Sequence, residues 1–104
     1  MMDYYILNEQ KEAVPADLDE WARFFERGDR IIARNEIGAA MVSTVFLGIN
    51  HQHGDGPPLL FETMIFGGAH DEHQERCSTY EEAVTMHRRA VELASLSADV
   101  KSSA

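Results

Sequence analysis

Two long runs of apolar and β-branched residues, 40–49 and 59–66, constrain the fold of this chain most strongly. Each run has apolar residues at both odd and even positions, so the strand it predicts presents apolar side chains on both faces. Such strands lie in the centre of a sheet or have one face covered by another subunit. The polar, Gly- and Pro-rich segment 50–58 between them contains no helix that could form a crossover connection. The two runs therefore predict antiparallel neighbours.

Amphipathic segments on either side of these runs predict two helices. The first runs from about Asp17 to Arg27, with Asp17 as N-cap, Glu20 completing an acidic capping box, and Gly28 as a stop. Its apolar stripe comprises Leu18, Trp21, Phe24 and Phe25. The spacing of these residues by three and four places them on one side of the helix, which predicts packing against a sheet.

A second helix is predicted to follow two overlapping capping boxes, Ser78 with Glu81 and Thr79 with Glu82. Its apolar side comprises Tyr80, Ala83, Val84, His87, Val91 and Ala94. The remaining segment, 96–104, is predicted to be a disordered tail.

Short β-prone runs at 4–7 and 30–34 complete the element order β-α-β-β-β-α. We predict a single α+β domain over residues 1–95, with a mainly antiparallel sheet. A chain of 104 residues is long enough for one such domain.

The charge of the chain narrows its possible partners. It has 18 acidic residues against 9 Lys and Arg, a formal net charge of −9. This excess argues against a general basic surface that grips nucleic acid, although a local arginine cluster could still bind one small anion. The single cysteine, Cys77, excludes an intrachain disulfide and a Cys-x-x-Cys site. The sequence also lacks a signal peptide, a membrane span and a glycine-rich phosphate loop, which predicts a cytoplasmic protein without a cofactor.

Histidines occur in two pairs, His51 with His53 and His70 with His73, and the second pair lies among carboxylates. Imidazole and carboxylate groups bind divalent metals. Neither spacing matches a helical His-Glu-x-x-His motif, and no third ligand is evident from the sequence. We therefore predict no functional metal site, and a small metal-dependent hydrolase is the weakest of the functional hypotheses.

Glu62 is the most informative single residue, because it lies within an apolar strand. A carboxylate in that setting is either partly exposed or paired, since an unpaired buried charge is costly. Arg34 and His51 are the candidate partners. The pair could be structural, or Glu62 could contact a ligand. A catalytic role is less favoured because the sequence places no nucleophile or second acid beside it, and we expect a protein that is not an enzyme.

Four arginines crowd into the segment 23–34, interleaved with acidic residues. Arginine suits bidentate recognition of phosphate or carboxylate, but the interleaving favours local neutralisation. Trp21 is interpreted as a core residue, or as a stacking surface if it is exposed. Cys77 precedes a helix N-terminus but has no catalytic motif around it, so we interpret it as an unreactive thiol.

The stretch 42–51 (VSTVFLGINH) and the stretch 56–68 (GPPLLFETMIFGG) form a long, specific motif. With the Glu20-Trp21-Ala22 and 78–83 (STYEEA) segments, this motif resembles a family of small proteins encoded by tailed bacteriophages and prophages. The likeness covers most of residues 14–92. It implies a phage origin and hence the cytoplasm of the host cell.

Small phage proteins outside the virion often act on the host, and two mechanisms fit the residues. The first is a homo-oligomer, assembled through the sheet or the last helix, that sequesters a small anionic, nucleotide-derived ligand and thereby counters host defence. Its predicted ligand-binding residues are Arg34, Thr44, His51, Glu62, Arg88 and Trp21. The second is an acidic inhibitor that mimics DNA and occupies a host nucleic-acid-binding or CRISPR complex, using clustered carboxylates such as Asp71, Glu72 and Glu75.

Overall fold

A computed structural model of the chain describes residues 3–27, 30–52 and 54–102. In these residues it contains two helices and six strands, which confirms the predicted α+β class. The elements in chain order are β1 (Tyr4–Leu7), β2 (Ala13–Ala16), α1 (Leu18–Glu26), β3 (Ile31–Ile37), β4 (Ala40–Phe46), β5 (Phe61–Phe66), β6 (Gln74–Cys77) and α2 (Tyr80–Ser102).

The strands form two antiparallel sheets. The larger has the order β3-β4-β5-β6, and the smaller is a two-stranded ribbon of β1 and β2. The two apolar runs provide the central strands β4 and β5, with Thr44 opposite Thr63, so the predicted antiparallel pairing is confirmed.

Two short strands, β2 and β6, are absent from the predicted order. β2 contains Pro15, which the ribbon tolerates because β2 is an edge strand. β6 consists of three exposed polar residues followed by the half-buried Cys77, so it has no apolar pattern from which a strand could be predicted. The central strands are also shorter than predicted, since β4 ends at Phe46 and β5 begins at Phe61.

Both predicted helix starts carry a capping box. The Asp17 carboxylate accepts a hydrogen bond from the Glu20 backbone N–H at 2.8 Å, and the Glu20 carboxylate accepts one from the Asp17 N–H at 3.1 Å. At the start of α2, Thr79 and Glu82 exchange the equivalent bonds at 3.1 and 3.0 Å. The predicted stop at Gly28 lies outside the described residues. Helix α2 runs to Ser102 and so includes residues 96–102 of the segment 96–104, for which the sequence predicts a disordered tail.

The core lies between α2 and one face of the larger sheet. This inner face carries fully buried Val42, Thr44, Phe46, Phe61, Thr63 and Ile65, and α2 contributes Ala83, Met86, His87, Ala90 and Ala94. The small alanine side chains let the helix lie close to the sheet. Apolar contacts form two clusters, one toward each end of the sheet. None of the described helices is long and apolar enough to cross a membrane.

The ribbon and α1 pack at the end of the sheet where β4 leaves it. The Tyr5 N–H donates to the Gly48 carbonyl at 2.8 Å, which joins β1 to the chain after β4. Gly48 has a φ of +74°, and a Cβ there would lie 2.5 Å from the Phe25 ring and 2.7 Å from the Trp21 indole nitrogen. Glycine at this position therefore lets the aromatic side chains of α1 close over the backbone.

Candidate functional site

A line of hydrogen-bonded polar side chains crosses the core from the centre of the sheet to its β3 edge. The hydroxyls of Thr44 and Thr63, on neighbouring strands, are bonded to each other. Thr44 Oγ1 also lies 2.7 Å from Nδ1 of His87, and Nε2 of His87 lies 2.7 Å from Oδ1 of Asn35. Of these four residues only Asn35 is exposed. We call these residues the buried polar array.

The amide oxygen of Asn35 accepts, so His87 carries its proton on Nε2 and its Nδ1 accepts from the Thr44 hydroxyl. Thr63 can then donate to Thr44, and every group in the array is satisfied. Burial lowers the pKa of His87, which keeps the imidazole neutral inside the core.

A hydroxyl, an imidazole and an amide in this order resemble the groups used for nucleophilic catalysis. Here both hydroxyls belong to residues with no exposed surface, because α2 covers them. A substrate cannot reach Thr44 without displacement of the helix. The buried polar array is therefore a structural network that positions α2 on the sheet. Thr44, which was predicted to bind a ligand, has no access to solvent.

Glu62 lies on the opposite side of the sheet from α2, and its ion-pair partner differs from the predicted candidates. Its carboxylate accepts a hydrogen bond from Nε of Arg76 at 2.8 Å and a second one from the Gln74 side chain. Both partners lie on β6, the neighbouring strand, where Arg76 stands directly opposite Glu62. The prediction of Arg34 or His51 as partner is wrong because β6 was not predicted.

The side of the larger sheet away from α2 is what we call the open face. Its side chains form three rows across the strands, set by the strand register. The first row is Ile31, Val45, Glu62 and Arg76. The second is Arg34, Ser43, Met64 and Gln74, and the third is Glu36, Met41 and Phe66.

The structure disperses the six predicted ligand-binding residues. Arg34 and Glu62 share the open face on strands separated by β4, whereas Thr44 is enclosed on the inner face. Arg88 is an exposed residue of α2, in the layer on the other side of the sheet from Arg34. His51 is half-buried in the loop after β4, where its backbone N–H donates to the Leu59 carbonyl at 3.2 Å.

Trp21 is half-buried in an aromatic cluster at the end of the sheet. Its ring centroid lies 4.6 Å from that of Phe25 and 5.1 Å from that of Tyr4. The indole nitrogen is buried and has no hydrogen-bond partner among the described residues. This packing agrees with the interpretation of Trp21 as a core residue, and it leaves little of the ring for stacking on a ligand.

The opposite side of the molecule from β3 is strongly acidic. Five exposed carboxylates occur along the β5–β6 turn, β6 and the first turn of α2: Asp71, Glu72, Glu75, Glu81 and Glu82. We call these residues the acidic edge. The single arginine among residues 71–82, Arg76, is held by Glu62. The described residues contain two ion pairs, Arg76–Glu62 and His73–Glu75, so most carboxylates of the described chain face solvent without a cationic partner.

A groove of about 390 Å³ runs along this edge between β6 and α2. Glu75, Glu81 and Glu82 line it, with Cys77, Thr85, Met86, Arg76 and Arg89. β6 is the last strand of the sheet, and no described strand pairs with its outer side. His73 and Cys77 direct their carbonyls inward, to the N–H groups of Ile65 and Leu60. In an antiparallel ladder, the alternate residues Gln74 and Arg76 then direct their backbone N–H and C=O groups outward.

The other groups that the sequence analysis singled out are Cys77 and the histidine pairs. Burial, with the carboxylates of Glu82 and Glu75, raises the pKa of the Cys77 thiol to about 11. The thiol is therefore protonated at neutral pH and is a poor nucleophile. Among the described residues, no group of three or more His, Cys, Asp or Glu side chains is arranged to hold a metal ion. His53, one of the predicted histidine pairs, lies outside those residues.

The features missed by the sequence analysis differ in how visible they were. The buried polar array could have been found from the sequence, because His87 falls within the apolar stripe of α2 and Thr44 and Thr63 lie within apolar strands. Polar residues at buried positions need hydrogen-bond partners. The groove had no such signal, because it depends on β6. Comparison with known proteins adds no assignment: no family model, curated protein or solved structure matches the chain.

Proposed function

We propose that this chain is a non-enzymatic phage accessory protein that binds a basic segment of a host nucleic-acid-binding or CRISPR protein along its acidic edge. The observation that carries this proposal is the groove beside β6, which combines three carboxylates with an unpaired strand edge. Proteins that bind nucleic acid carry clustered Lys and Arg, which are complementary to such a surface.

The backbone of β6 supplies a second element of recognition. The outward N–H and C=O groups of Gln74 and Arg76 can pair with an extended segment added to the sheet. The side chains of that segment would then alternate between the groove and solvent, and its basic residues would face Glu75, Glu81 and Glu82. Backbone pairing provides affinity and the carboxylates provide selectivity for positive charge.

The proposal is tested by removing three carboxylates of the acidic edge without disturbing a cap or a turn. The triple variant Glu72→Gln, Glu75→Gln, Glu81→Gln avoids Glu82, which caps α2, and Asp71, which accepts from the Gly67 N–H. Wild-type protein on beads is expected to capture a nucleic-acid-binding protein from phage-infected cell lysate at low salt, and to release it at high salt or on addition of duplex DNA. The triple variant is expected to lose this capture.

The matched control is Glu9→Gln, Glu26→Gln, Glu92→Gln, which changes net charge equally at exposed positions outside the acidic edge. It should capture the same protein as wild type. Equal capture by wild type and by the variant of the acidic edge would refute the proposal, and so would capture that salt and DNA leave unchanged.

Sequestration of a small anionic nucleotide is a second candidate, supported by Arg34. This residue is exposed on the open face and has no hydrogen-bond or ion-pair partner among the described residues. In its row, Ser43 is buried and the apolar Met64 is half-buried, so Arg34 would contact a phosphate and Met64 could contact a base. Calorimetry and thermal shift with cyclic and NAD-derived nucleotides test it.

Under this second candidate, Arg34→Gln abolishes the nucleotide signal, whereas Arg23→Gln, at an exposed position on α1, leaves it intact. The absence of a signal with every nucleotide in the wild-type protein would eliminate the candidate.

A further inference from the structure

The open face carries apolar side chains, and neither described helix packs on it. Its three rows contain five apolar side chains: Ile31, Val45, Met64, Met41 and Phe66. Ile31 is 53% exposed and Phe66 is 45% exposed. Helix α2 packs on the other face, and α1 contacts the ribbon. Exposed apolar surface on one side of a two-layer domain is a common feature of protein interfaces.

We propose that the open face is the contact surface between two copies of this chain, packed sheet against sheet about a two-fold axis. The proposal is independent of the acidic edge, because Glu75, Glu81 and Glu82 line the groove beside α2 and remain accessible when the open face is covered.

The charges on the open face point to a second copy as the occupant. Glu62 and Arg76 neutralise each other within the chain. Arg34 and Glu36 are exposed on β3 and have no ion-pair partner among the described residues. An uncharged partner would leave both buried without a counter-charge, at considerable cost. A partner must therefore present one positive and one negative group at matching positions, and a second copy does so.

The register of the sheet shows how the two copies fit. A two-fold axis that runs across the strands between the second and third rows brings each strand over its own counterpart in the partner and exchanges the two rows. Arg34 then lies opposite the partner's Glu36, and this contact occurs twice. Met64 lies opposite the partner's Phe66, and Met41 opposite the partner's Ser43. Sheets packed in this way are separated by about 10 Å, a distance that an Arg and a Glu side chain bridge together.

Oligomeric state provides the first test. Analytical ultracentrifugation of the full chain over a concentration series is expected to give twice the chain mass of 11.7 kDa. Phe66→Glu is expected to produce a monomer. Leu18→Glu, at a residue of α1 that is 55% exposed, should leave the dimer unchanged. Circular dichroism checks that each variant is folded, and Met64→Glu, at the position opposite the partner's Phe66, is a second disruptive variant.

The charge pair provides a test of the register. Arg34→Glu and Glu36→Arg are each expected to weaken the dimer about thirtyfold or more, because each leaves like charges facing across the interface. An equimolar mixture of the two variants should restore dimers, since each copy then meets opposite charges in the other. Pairing between Arg34 and Glu36 within one chain cannot produce this rescue.

Three results would overturn the proposal. A monomeric wild type at all concentrations excludes a second copy, and loss of a bound host protein from a monomeric Phe66→Glu variant would identify a foreign occupant instead. A dimer that Phe66→Glu and Met64→Glu leave intact would show that another surface is used. Failure of the mixture to restore dimers would refute the proposed register. The capture experiment on the acidic edge is separate, because its variants leave the open face unchanged.

Discussion

At the scale of single residues, His87 shows how a titratable group serves the core. It lies in the contact between α2 and the sheet, where both ring nitrogens are hydrogen-bonded and the imidazole is kept neutral by burial. Removing one member of a satisfied network leaves another buried polar group without a partner, which costs more than the net value of the bond. The same burial couples the stability of the fold to pH.

We predict that acid destabilises the wild type through His87. The folded-state pKa of His87 lies below its ordinary value of 6.5, so above that value both states are neutral and stability is complete. As pH falls below it, the unfolded chain binds a proton that the folded chain resists, and stability is lost down to the folded pKa. His87→Gln should lower the free energy of unfolding by about 1–3 kcal/mol at neutral pH.

Urea denaturation between about pH 7.5 and 5.5 measures the effect. The wild type should lose more stability over this range than His87→Gln does, because the other titrating groups are common to both proteins. Parallel pH profiles for the two proteins would show that His87 contributes nothing to the acid sensitivity.

At the scale of elements, α2 determines the architecture because it is the helix that covers the sheet. Its N-terminus is held by the reciprocal bonds of Thr79 and Glu82, while the backbone N–H of Ser78 also donates to Glu82 at 3.3 Å. The Ser78 hydroxyl makes no cap. Of the two capping boxes predicted from the sequence, the structure therefore uses the second.

Thr79→Ala is predicted to lower the free energy of unfolding by about 1 kcal/mol, because the Glu82 N–H loses its acceptor. Ser78→Ala, one residue away, should change it by only a few tenths of a kcal/mol, within the usual range for a surface substitution. Urea denaturation of both variants decides which of the two predicted capping boxes stabilises α2. Equal losses in the two variants, or a larger loss for Ser78→Ala, would contradict it.

At the scale of the whole molecule, the net charge of −9 is borne by carboxylates that mostly lack cationic partners in the described chain. Self-repulsion of this kind destabilises the compact state, and salt screens it over a Debye length of about 30 Å at 0.01 M and 8 Å at 0.15 M. The same repulsion would oppose the proposed dimer, in which the apolar open face would provide the main attraction between the two copies.

Added NaCl is therefore predicted to raise the melting temperature of the wild type and to strengthen the dimer between about 0.01 and 0.15 M. The triple variant Glu9→Gln, Glu26→Gln, Glu92→Gln, with a less negative charge, should show a smaller rise. Differential scanning calorimetry at several salt concentrations measures the melting temperatures of both proteins, and analytical ultracentrifugation at the same concentrations measures the strength of the proposed dimer. A melting temperature that falls with salt would mean that attractive pairs outweigh the repulsion.

Local patterns in the sequence determined the elements that bury apolar surface. The runs that became β4 and β5, the capping boxes of both helices and the apolar stripe of α2 all follow from periodicity and side-chain chemistry within a few residues. β6 could not be predicted from such local patterns, because a polar edge strand forms only when a completed sheet offers it hydrogen-bond partners.

The candidate sites depended on contacts between distant segments, and these only the tertiary structure decided. The partner of Glu62 was unpredictable because Arg76 reaches it through β6, and Thr44 was assigned to a ligand because its contact with His87 spans 43 positions of the chain. The groove of the acidic edge and the rows of the open face likewise follow from strand register. The sequence by itself determined which residues are apolar, charged and strand- or helix-forming. Only the tertiary structure decided which of these residues are in contact, because strand register and the packing of whole elements bring distant residues together. The helix or strand propensity of a short segment does not.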